Sequence, residues 1–150
     1  MLSKVSLIVG SFLLVLGVYL YFSSNASYNN SIQARIYYFI GNYDEAYAYA
    51  KRAYEQDPYN KMAFTVLTQS QIAQKYEKYI ELGNEYLVKI DEISAKKVFA
   101  DDDRVRIKLM CEVMIDSYAS LVSTKLTDKE LLQKSEQMYK KFKKLYEELF

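Results

Sequence analysis

The chain has 150 residues, and its 20 Lys and Arg residues against 19 Asp and Glu residues give a formal net charge of +1. Such a balanced charge leaves no basic footprint for nucleic acid, so no nucleic-acid partner is expected. There is no histidine, no glycine-rich phosphate loop and no serine nucleophile elbow, so we expect no enzyme activity, no metal, no cofactor and no small-molecule substrate.

An uncharged apolar run extends from Val5 to Phe22 at the start of the chain. A helix needs about 20 such residues to cross a bilayer core, and Tyr21 and Phe22 would place aromatic rings at the membrane interface. The run therefore predicts a single transmembrane helix over residues 1–22. The small residues Ser24–Asn25–Ala26 also fit a cleaved signal peptide, and a buried helix of a globular protein is a third interpretation.

The orientation of this anchor depends on very few charges. Lys4 and the amino terminus precede the run, and the first basic residue after it is Arg35. The positive-inside rule then places the amino terminus in the cytoplasm and the rest of the chain outside it. The frequent Lys, Tyr, Asn and Ile residues suggest an AT-rich bacterial genome. We therefore expect the bacterial inner membrane as the location, with a periplasmic domain.

Beyond the anchor, the scarcity of helix breakers predicts an all-α protein, since the whole chain has one Pro and four Gly. A polar stretch over residues 23–30 is predicted as a juxtamembrane linker or a continuation of the anchor helix. A loop is expected at Lys96–Asp102, and Thr127 is the predicted N-cap of the last helix. About six helices are predicted after the anchor, at residues 28–40, 44–56, 60–74, 76–93, 103–124 and 128–149.

A helical hairpin is the clearest local prediction. Gly41–Asn42 can close one helix because both residues tolerate left-handed backbone angles. Asp44–Glu45 places acidic groups at the positive end of the next helix, and Pro58 prevents that helix from continuing. Small residues suited to close helix contact recur at intervals of four and three residues, at Ala46, Ala50 and Ala53.

This hairpin resembles a tetratricopeptide repeat, a helix pair of about 34 residues. Gly41, Tyr43, Ala46, Ala53 and Pro58 stand at the spacings of that family's second helix, and Ala34 and Tyr37 match its first helix. Asn30, Gln33 and Ala50 depart from the usual aromatic, Leu and aromatic residues. The resemblance implies one repeat at about 27–60 and a degenerate repeat at about 61–93, with its turn at Tyr76–Tyr79. Residues 94–150 would form a helical pair that caps the repeats 27–93.

The resemblance also implies a function, because tetratricopeptide folds bind other proteins in a concave groove. The first hypothesis is a membrane-anchored adaptor or scaffold that recruits or stabilises an envelope complex. The alternative is an accessory or chaperone-like subunit of a secretion or flagellar export machine. Phe39, Ile72 and Ala73 also fall at groove positions, although core packing could explain them. The groove positions carried onto this chain are Tyr28, Ser31, Arg35, Tyr38, Met62, Thr65 and Gln69.

The second half of the chain carries structural rather than chemical signals. Cys111 is the only cysteine, and its apolar neighbours predict a small core residue. Asp101–Asp103 is predicted to cap the following helix, because Val105 and Arg106 occupy positions at which a calcium loop needs a ligand and a glycine. Val105 and Leu109 widen the apolar face of that helix, which predicts burial among other helices.

The last predicted helix has two interpretations. Its apolar positions alternate steps of four and three residues from Leu131 to Leu149, which suits either a closing helix over the repeats or a coiled-coil partner helix. Its basic cluster at Lys140–Lys144 is interpreted as a solvated face held by i,i+4 ion pairs, with contact to anionic lipid or acidic protein as the alternative.

Overall fold

A computed structural model describes residues 4–96 and 100–150, with the side chains of α1 described from residue 6 to residue 20. The predicted all-α class is confirmed, since these residues form six helices and no strand. The chain divides into two compact units, Met1–Ser70 (unit 1) and Gln71–Phe150 (unit 2). The helices are α1 (Lys4–Ser24), α2 (Ala26–Phe39), α3 (Tyr43–Gln56), α4 (Lys61–Ser94), α5 (Asp101–Ala119) and α6 (Lys129–Leu149).

The apolar run at the start of the chain forms α1, and all of its described side chains are exposed. Within the described part of the chain, no helix combines the length and the apolar character needed to cross a membrane. The predicted interfacial rings of Tyr21 and Phe22 lie outside the described side chains. α1 and α2 are separated only by Asn25, whose backbone is extended and whose side chain caps α2 by accepting from the backbone N–H of Tyr28 (3.0 Å). Residues 26–30 of the predicted linker are therefore helical.

The turn between α2 and α3 follows the sequence prediction closely. Gly41 has a φ of +78°, a left-handed conformation that costs a residue with a Cβ about 1–2 kcal/mol. The Asn42 side chain then accepts a hydrogen bond of 3.2 Å from the backbone N–H of Glu45 and so caps α3. α3 ends at Gln56, before Asp57 and Pro58, as predicted.

The contact between α2 and α3 is made by small side chains. Ala34 of α2 and the three predicted alanines of α3 are fully buried. Ala34, Ala46 and Ala50 form one cluster with Val66 from the first part of α4. The rings of Tyr37 and Tyr49 stack with a centroid distance of 5.3 Å. Because alanine adds only a methyl group, the backbones of the two helices can approach closely.

Asn60 ties the start of α4 to α2 and, through Ser27, to α3. Its Nδ2 donates to Ser27 Oγ (3.0 Å) and Ser31 Oγ (3.3 Å), both on α2. Ser27 Oγ in turn donates to the carbonyl oxygen of Ala53 on α3 (2.8 Å). The Oδ1 of Asn60 accepts the backbone N–H groups of the first helical turn of α4, at 3.1 Å each. A single side chain therefore caps α4 and bridges the hairpin.

α4 corrects the prediction of a second repeat hairpin. It is one helix of 34 residues, so the turn predicted at Tyr76–Tyr79 and the division into two helices are wrong. Tyr76 and Tyr79 are buried and continue the spacing of Ala73 and Gly83 along one side of the helix. No Gly or Pro interrupts the chain between Pro58 and Gly83, so nothing in this stretch stops the helix.

Unit 2 has its own core, built from the second part of α4 with α5 and α6. Cys111 is fully buried in it, as predicted. Val105 and Leu109, by contrast, are 64% and 59% exposed, so the wide buried face predicted for α5 is wrong and only one stripe of this helix is covered. The buried members of the core are Tyr79, Ile90, Ile93, Ile107, Cys111, Met114 and Phe142.

The start of α5 confirms that the three aspartates lie in its first turn. Asp103 is buried, and its carboxylate accepts from the backbone N–H of Ala100 (3.4 Å) and pairs with Lys96 Nζ (2.7 Å). The hydrogen bond from Lys96 lowers the pKa of this carboxyl. The loop predicted at Lys96–Asp102 contains residues 97–99, which lie outside the described residues, and α5 already begins at Asp101.

The start of α6 differs from the prediction by one residue. Asp128 is the N-cap, and its carboxylate accepts from the backbone N–H of Glu130 (2.7 Å). Thr127, predicted as the cap, is buried, and its Oγ1 accepts from the backbone N–H of Thr124 (2.8 Å) in the preceding loop. Further along α6, ion pairs join Lys140 to Glu136 (2.6 Å) and Lys144 to Glu148 (3.6 Å), as the i,i+4 interpretation predicted.

Candidate partner-binding surface

The seven residues carried over as the partner-binding set belong to unit 1, but two of them do not reach its surface. Ser31 is fully buried, and its hydroxyl donates to the carbonyl oxygen of Tyr28 (2.8 Å). Gln69 is 8% exposed. Both side chains lie inside the unit, where a protein partner cannot contact them. The spacing along α2 could not show this, because the Ser31 hydroxyl also accepts a hydrogen bond from Asn60, a residue from another part of the chain (3.3 Å).

Tyr28, Tyr38 and Met62 occupy intermediate positions. All three are partly buried, and Tyr38 and Met62 pack against the alanine cluster of the hairpin. The ring of Tyr38 also meets that of Tyr43 edge to face, with centroids 5.3 Å apart. These side chains therefore support the fold and present only part of their surface to a partner.

Arg35 and Thr65 are the exposed members of the predicted groove. The guanidinium of Arg35 lies over the ring of Phe39, 5.6 Å from its centroid, in a cation–π arrangement. The Thr65 hydroxyl donates back to the carbonyl oxygen of Lys61 (2.8 Å), so its proton is already used. Arg35 consequently offers the clearest polar contact of the set.

A more exposed apolar surface lies at the end of α2. Phe39 and Ile40 are 73% and 69% exposed, and Ile36 is exposed beside them. Spacings of three and four residues place these side chains on one side of the helix. We call Ile36, Phe39 and Ile40 the α2 apolar face. Core packing, one interpretation of Phe39, is therefore wrong, whereas Ala73 is buried as that interpretation requires.

The i, i+3, i+4 pattern of the α2 apolar face was visible in the sequence. Sequence reasoning missed it because the family groove positions fall mainly on the preceding turns of the helix. Tyr59 and Phe64, at the start of α4, are exposed as well. The Phe64 ring lies 6.0 Å from the ring of Tyr54, so part of its surface is already covered.

Two titratable groups with a raised pKa, the Cys111 thiol and the Tyr79 hydroxyl, lie in the core of unit 2. Burial, with a smaller contribution from the charge of Glu112, raises the pKa of the Cys111 thiol to about 11. Burial also raises the pKa of Tyr79, whose hydroxyl donates to the carbonyl oxygen of Met114 (3.2 Å). Over residues 4–96 and 100–150, no three acidic or cysteine side chains are grouped so that they could hold a metal ion.

Comparison with models of known protein families, with curated proteins and with solved structures found no match for this chain. The resemblance to a tetratricopeptide repeat therefore depends on the residues of the α2–α3 hairpin themselves. Among these, Gly41 adopts the left-handed conformation and Ala46, Ala50 and Ala53 are buried at the helix contact.

Proposed function

We propose that this protein is an adaptor of the tetratricopeptide type, held at the bacterial inner membrane by α1, whose unit 1 binds another protein. Its role would be to recruit or stabilise an envelope complex on the periplasmic side. The observation that carries the proposal is the α2 apolar face. The hairpin fills its interior with alanines and leaves Phe39 and Ile40 in contact with solvent.

The α2 apolar face is small, so its binding energy explains why an adaptor of this kind would need a membrane anchor. Burying a Phe or Ile side chain contributes about 1.5–3 kcal/mol, whereas association in solution costs on the order of 4–15 kcal/mol in lost translational and rotational freedom. A patch as small as the α2 apolar face is therefore a weak binding site by itself. Restricting both proteins to one membrane surface raises their effective concentration and compensates for this weakness.

The membrane part of the proposal is supported by α1 and by its sequence. All of its described side chains are exposed, and most of them are large and apolar, including Leu7, Ile8, Phe12 and Leu14. Water is an unfavourable environment for such a surface. Lipid chains would cover it, and Lys4 before the run is consistent with the proposed orientation.

Membrane association can be tested by fractionation of cells that express the full chain. We expect the protein in the membrane pellet after extraction with alkaline carbonate. Recovery of the full-length chain in the supernatant would contradict the anchor. For orientation, a membrane-impermeant thiol reagent should label a Ser24→Cys variant in cells with a permeable outer layer. The parent chain serves as its control because Cys111 is buried.

The binding surface can be tested with a matched pair of double variants. Phe39→Ser with Ile40→Ser removes exposed apolar groups from unit 1, and Val105→Ser with Leu109→Ser removes a comparably exposed pair from α5. We expect both variants to keep the melting temperature of the parent, and only the first to lose stoichiometric partners in co-purification from native membranes. Equal loss of partners from both variants would reject the α2 apolar face as the binding surface. Recovery of many substoichiometric proteins would favour the alternative function, an accessory subunit of an export machine.

A further inference from the structure

We propose that a cavity on unit 2 binds a short acidic and apolar segment of another protein. The cavity has a volume of about 440 Å³ and lies between the second part of α4 and the end of α5. It shares no residue with the α2 apolar face, so the two sites can be tested independently. The side chains that define its chemistry are Lys75, Lys78, Leu82, Ser117, Ser120 and Leu121.

Two ammonium groups form the cationic rim of this cavity. Lys75 and Lys78 are exposed and three residues apart on α4, so they project from the same side of the helix. Neither makes an ion pair with any described residue, whereas Lys89, eleven residues beyond Lys78 on the same helix, pairs with Glu85. Asp116, one turn before Ser120 on α5, forms no ion pair with either of these lysines. The rim therefore carries two ammonium groups that form no ion pair within the described residues.

The floor of the cavity is apolar. Leu82 and Leu121 line it together with the ring of Tyr79, whose hydroxyl is turned into the core and bonded to the carbonyl oxygen of Met114. Leu82 and Leu121 remain partly exposed. An occupant with an apolar side chain would remove this surface from water, which is the main source of binding energy for a small site.

A hydroxyl at the end of α5 completes the polar part of the site. Ser120 donates its proton to the carbonyl oxygen of Ser117 (2.7 Å). The hydroxyl of Ser117 itself makes no hydrogen bond to the described chain and lies on the cavity wall. It can therefore donate to a carboxylate that is already attracted by the lysines.

The spacing of these groups favours a peptide over other anionic amphiphiles. Residues i and i+3 of a helix stand about 5–6 Å apart, and Lys75 and Lys78 are such a pair. Two acidic residues three apart in a helical turn have the same separation, so a segment such as Glu-Leu-Leu-Glu can meet both lysines while a neighbouring leucine enters between Leu82 and Leu121. A fatty acid carries a single carboxylate on its hydrocarbon chain. One of the two ammonium groups would then have no counter-ion of its own.

The probe for this site is a set of short peptides with blocked ends, added to the isotope-labelled full chain and followed by NMR. We expect Glu-Leu-Leu-Glu to shift the backbone amide signals of Lys78 and Ser120 saturably, with a dissociation constant below about 1 mM. Lys-Leu-Leu-Lys and Glu-Ser-Ser-Glu should bind much more weakly. The first lacks the carboxylates for the lysines, and the second lacks the apolar side chains for Leu82 and Leu121. Absence of saturable shifts with Glu-Leu-Leu-Glu would overturn the proposal.

Charge-matched variants test whether Lys75 and Lys78 are responsible for the binding of Glu-Leu-Leu-Glu. Lys75→Ala with Lys78→Ala should weaken binding of Glu-Leu-Leu-Glu by about tenfold. Lys143→Ala with Lys144→Ala removes the same charge from the last turns of α6 and should leave binding unchanged. Equal weakening in both variants would mean non-specific attraction and reject the site. Decanoate provides the last comparison, since tighter binding of decanoate than of the peptide would identify a fatty-acid site and reject the protein segment.

Discussion

Gly83 of α4 lies directly against Met138 of α6. A Cβ atom placed on Gly83 would be 2.6 Å from Met138 Cγ and 2.7 Å from its Sδ, and Met114 Cε would be 3.0 Å away. These distances are shorter than normal carbon contacts of about 3.5–4.0 Å. The glycine therefore allows the side chain of Met138 to lie on the backbone of α4 in the core of unit 2.

This contact predicts the effect of Gly83→Ala. In an open helix position, alanine stabilises by about 0.8–1.0 kcal/mol relative to glycine, but overpacking of a core costs about 1–3 kcal/mol. We expect the second effect to be larger, so that the variant melts at a lower temperature than the parent chain. Thermal unfolding followed by circular dichroism measures the difference.

Gly83→Ala in a Met138→Ala chain tests the contact between Gly83 and Met138 itself. In a Met138→Ala chain the two closest atoms are gone, and only the terminal methyl group of Met114, at the end of a flexible side chain, remains near the added Cβ. Gly83→Ala should then raise the melting temperature through helix propensity. The sign of the effect is thus expected to reverse between the two backgrounds. Stabilisation by Gly83→Ala in the parent chain would contradict the close contact.

The alanine contact of unit 1 predicts that Ala53→Leu is destabilising. Ala53 is fully buried between α2 and α3, and a leucine there would force the helices apart at a cost of about 1–3 kcal/mol. For a domain of this size the melting temperature should fall by several degrees. Ala26→Leu is the control, because Ala26 is exposed at the start of α2. Equal melting temperatures for the two variants would reject the tight contact.

Asn60 permits a separation of its two roles by substitution. Asn60→Ala removes the cap of α4, worth about 1 kcal/mol, together with the hydrogen bonds to Ser27 and Ser31, worth about 0.5–1.5 kcal/mol each. Asn60→Asp keeps an oxygen for the cap and loses only the amide donor. We expect stability to decrease in the order Asn, Asp, Ala, measured by chemical denaturation. Equal losses in both variants would mean that the cap contributes nothing.

How much of the fold could be predicted depends on how far along the chain each sequence signal acts. The α2–α3 hairpin was predictable because Gly41, Asn42 and Pro58 each act on the backbone within a single turn. The continuous α4 was missed because the repeat resemblance required a turn at Tyr76–Tyr79, although no breaker residue stands there. Its actual signal was the apolar spacing through Tyr76, Tyr79 and Gly83, which a helix without interruption satisfies.

Burial was less predictable, because it depends on which neighbour covers each helix face. Periodicity showed that α5 has a wide apolar side, but it could not show that Val105 and Leu109 receive no covering helix. The family groove positions placed Ser31 on the surface, whereas it is fully buried and hydrogen-bonded to Asn60. The partner-binding residues were therefore predicted only in part, and the α2 apolar face became visible through exposure.

Cys111 is expected to be unreactive in the folded protein. Burial raises the pKa of its thiol to about 11, so at pH 8 very little of the nucleophilic thiolate is present, and the side chain is inaccessible. Iodoacetamide should label the denatured chain rapidly and the native chain slowly, as mass spectrometry can measure. Rapid native labelling would show that the core around Cys111 opens frequently.

The ion pair between Asp103 and Lys96 predicts a dependence of stability on acid. The pKa of the Asp103 carboxyl is lowered in the folded protein, chiefly by the hydrogen bond from Lys96. The ionised carboxylate therefore stabilises the fold above the unfolded pKa of about 3.9, and this stabilisation is lost as the pH falls through the lower folded value. Asp103→Asn should reduce the melting temperature at pH 7, and the deficit should shrink as the pH falls below about 4. Asp102→Asn, at the exposed neighbouring position, should show a smaller deficit at pH 7. A deficit for Asp103→Asn that stays constant down to pH 2 would show that the charge of Asp103 makes no contribution.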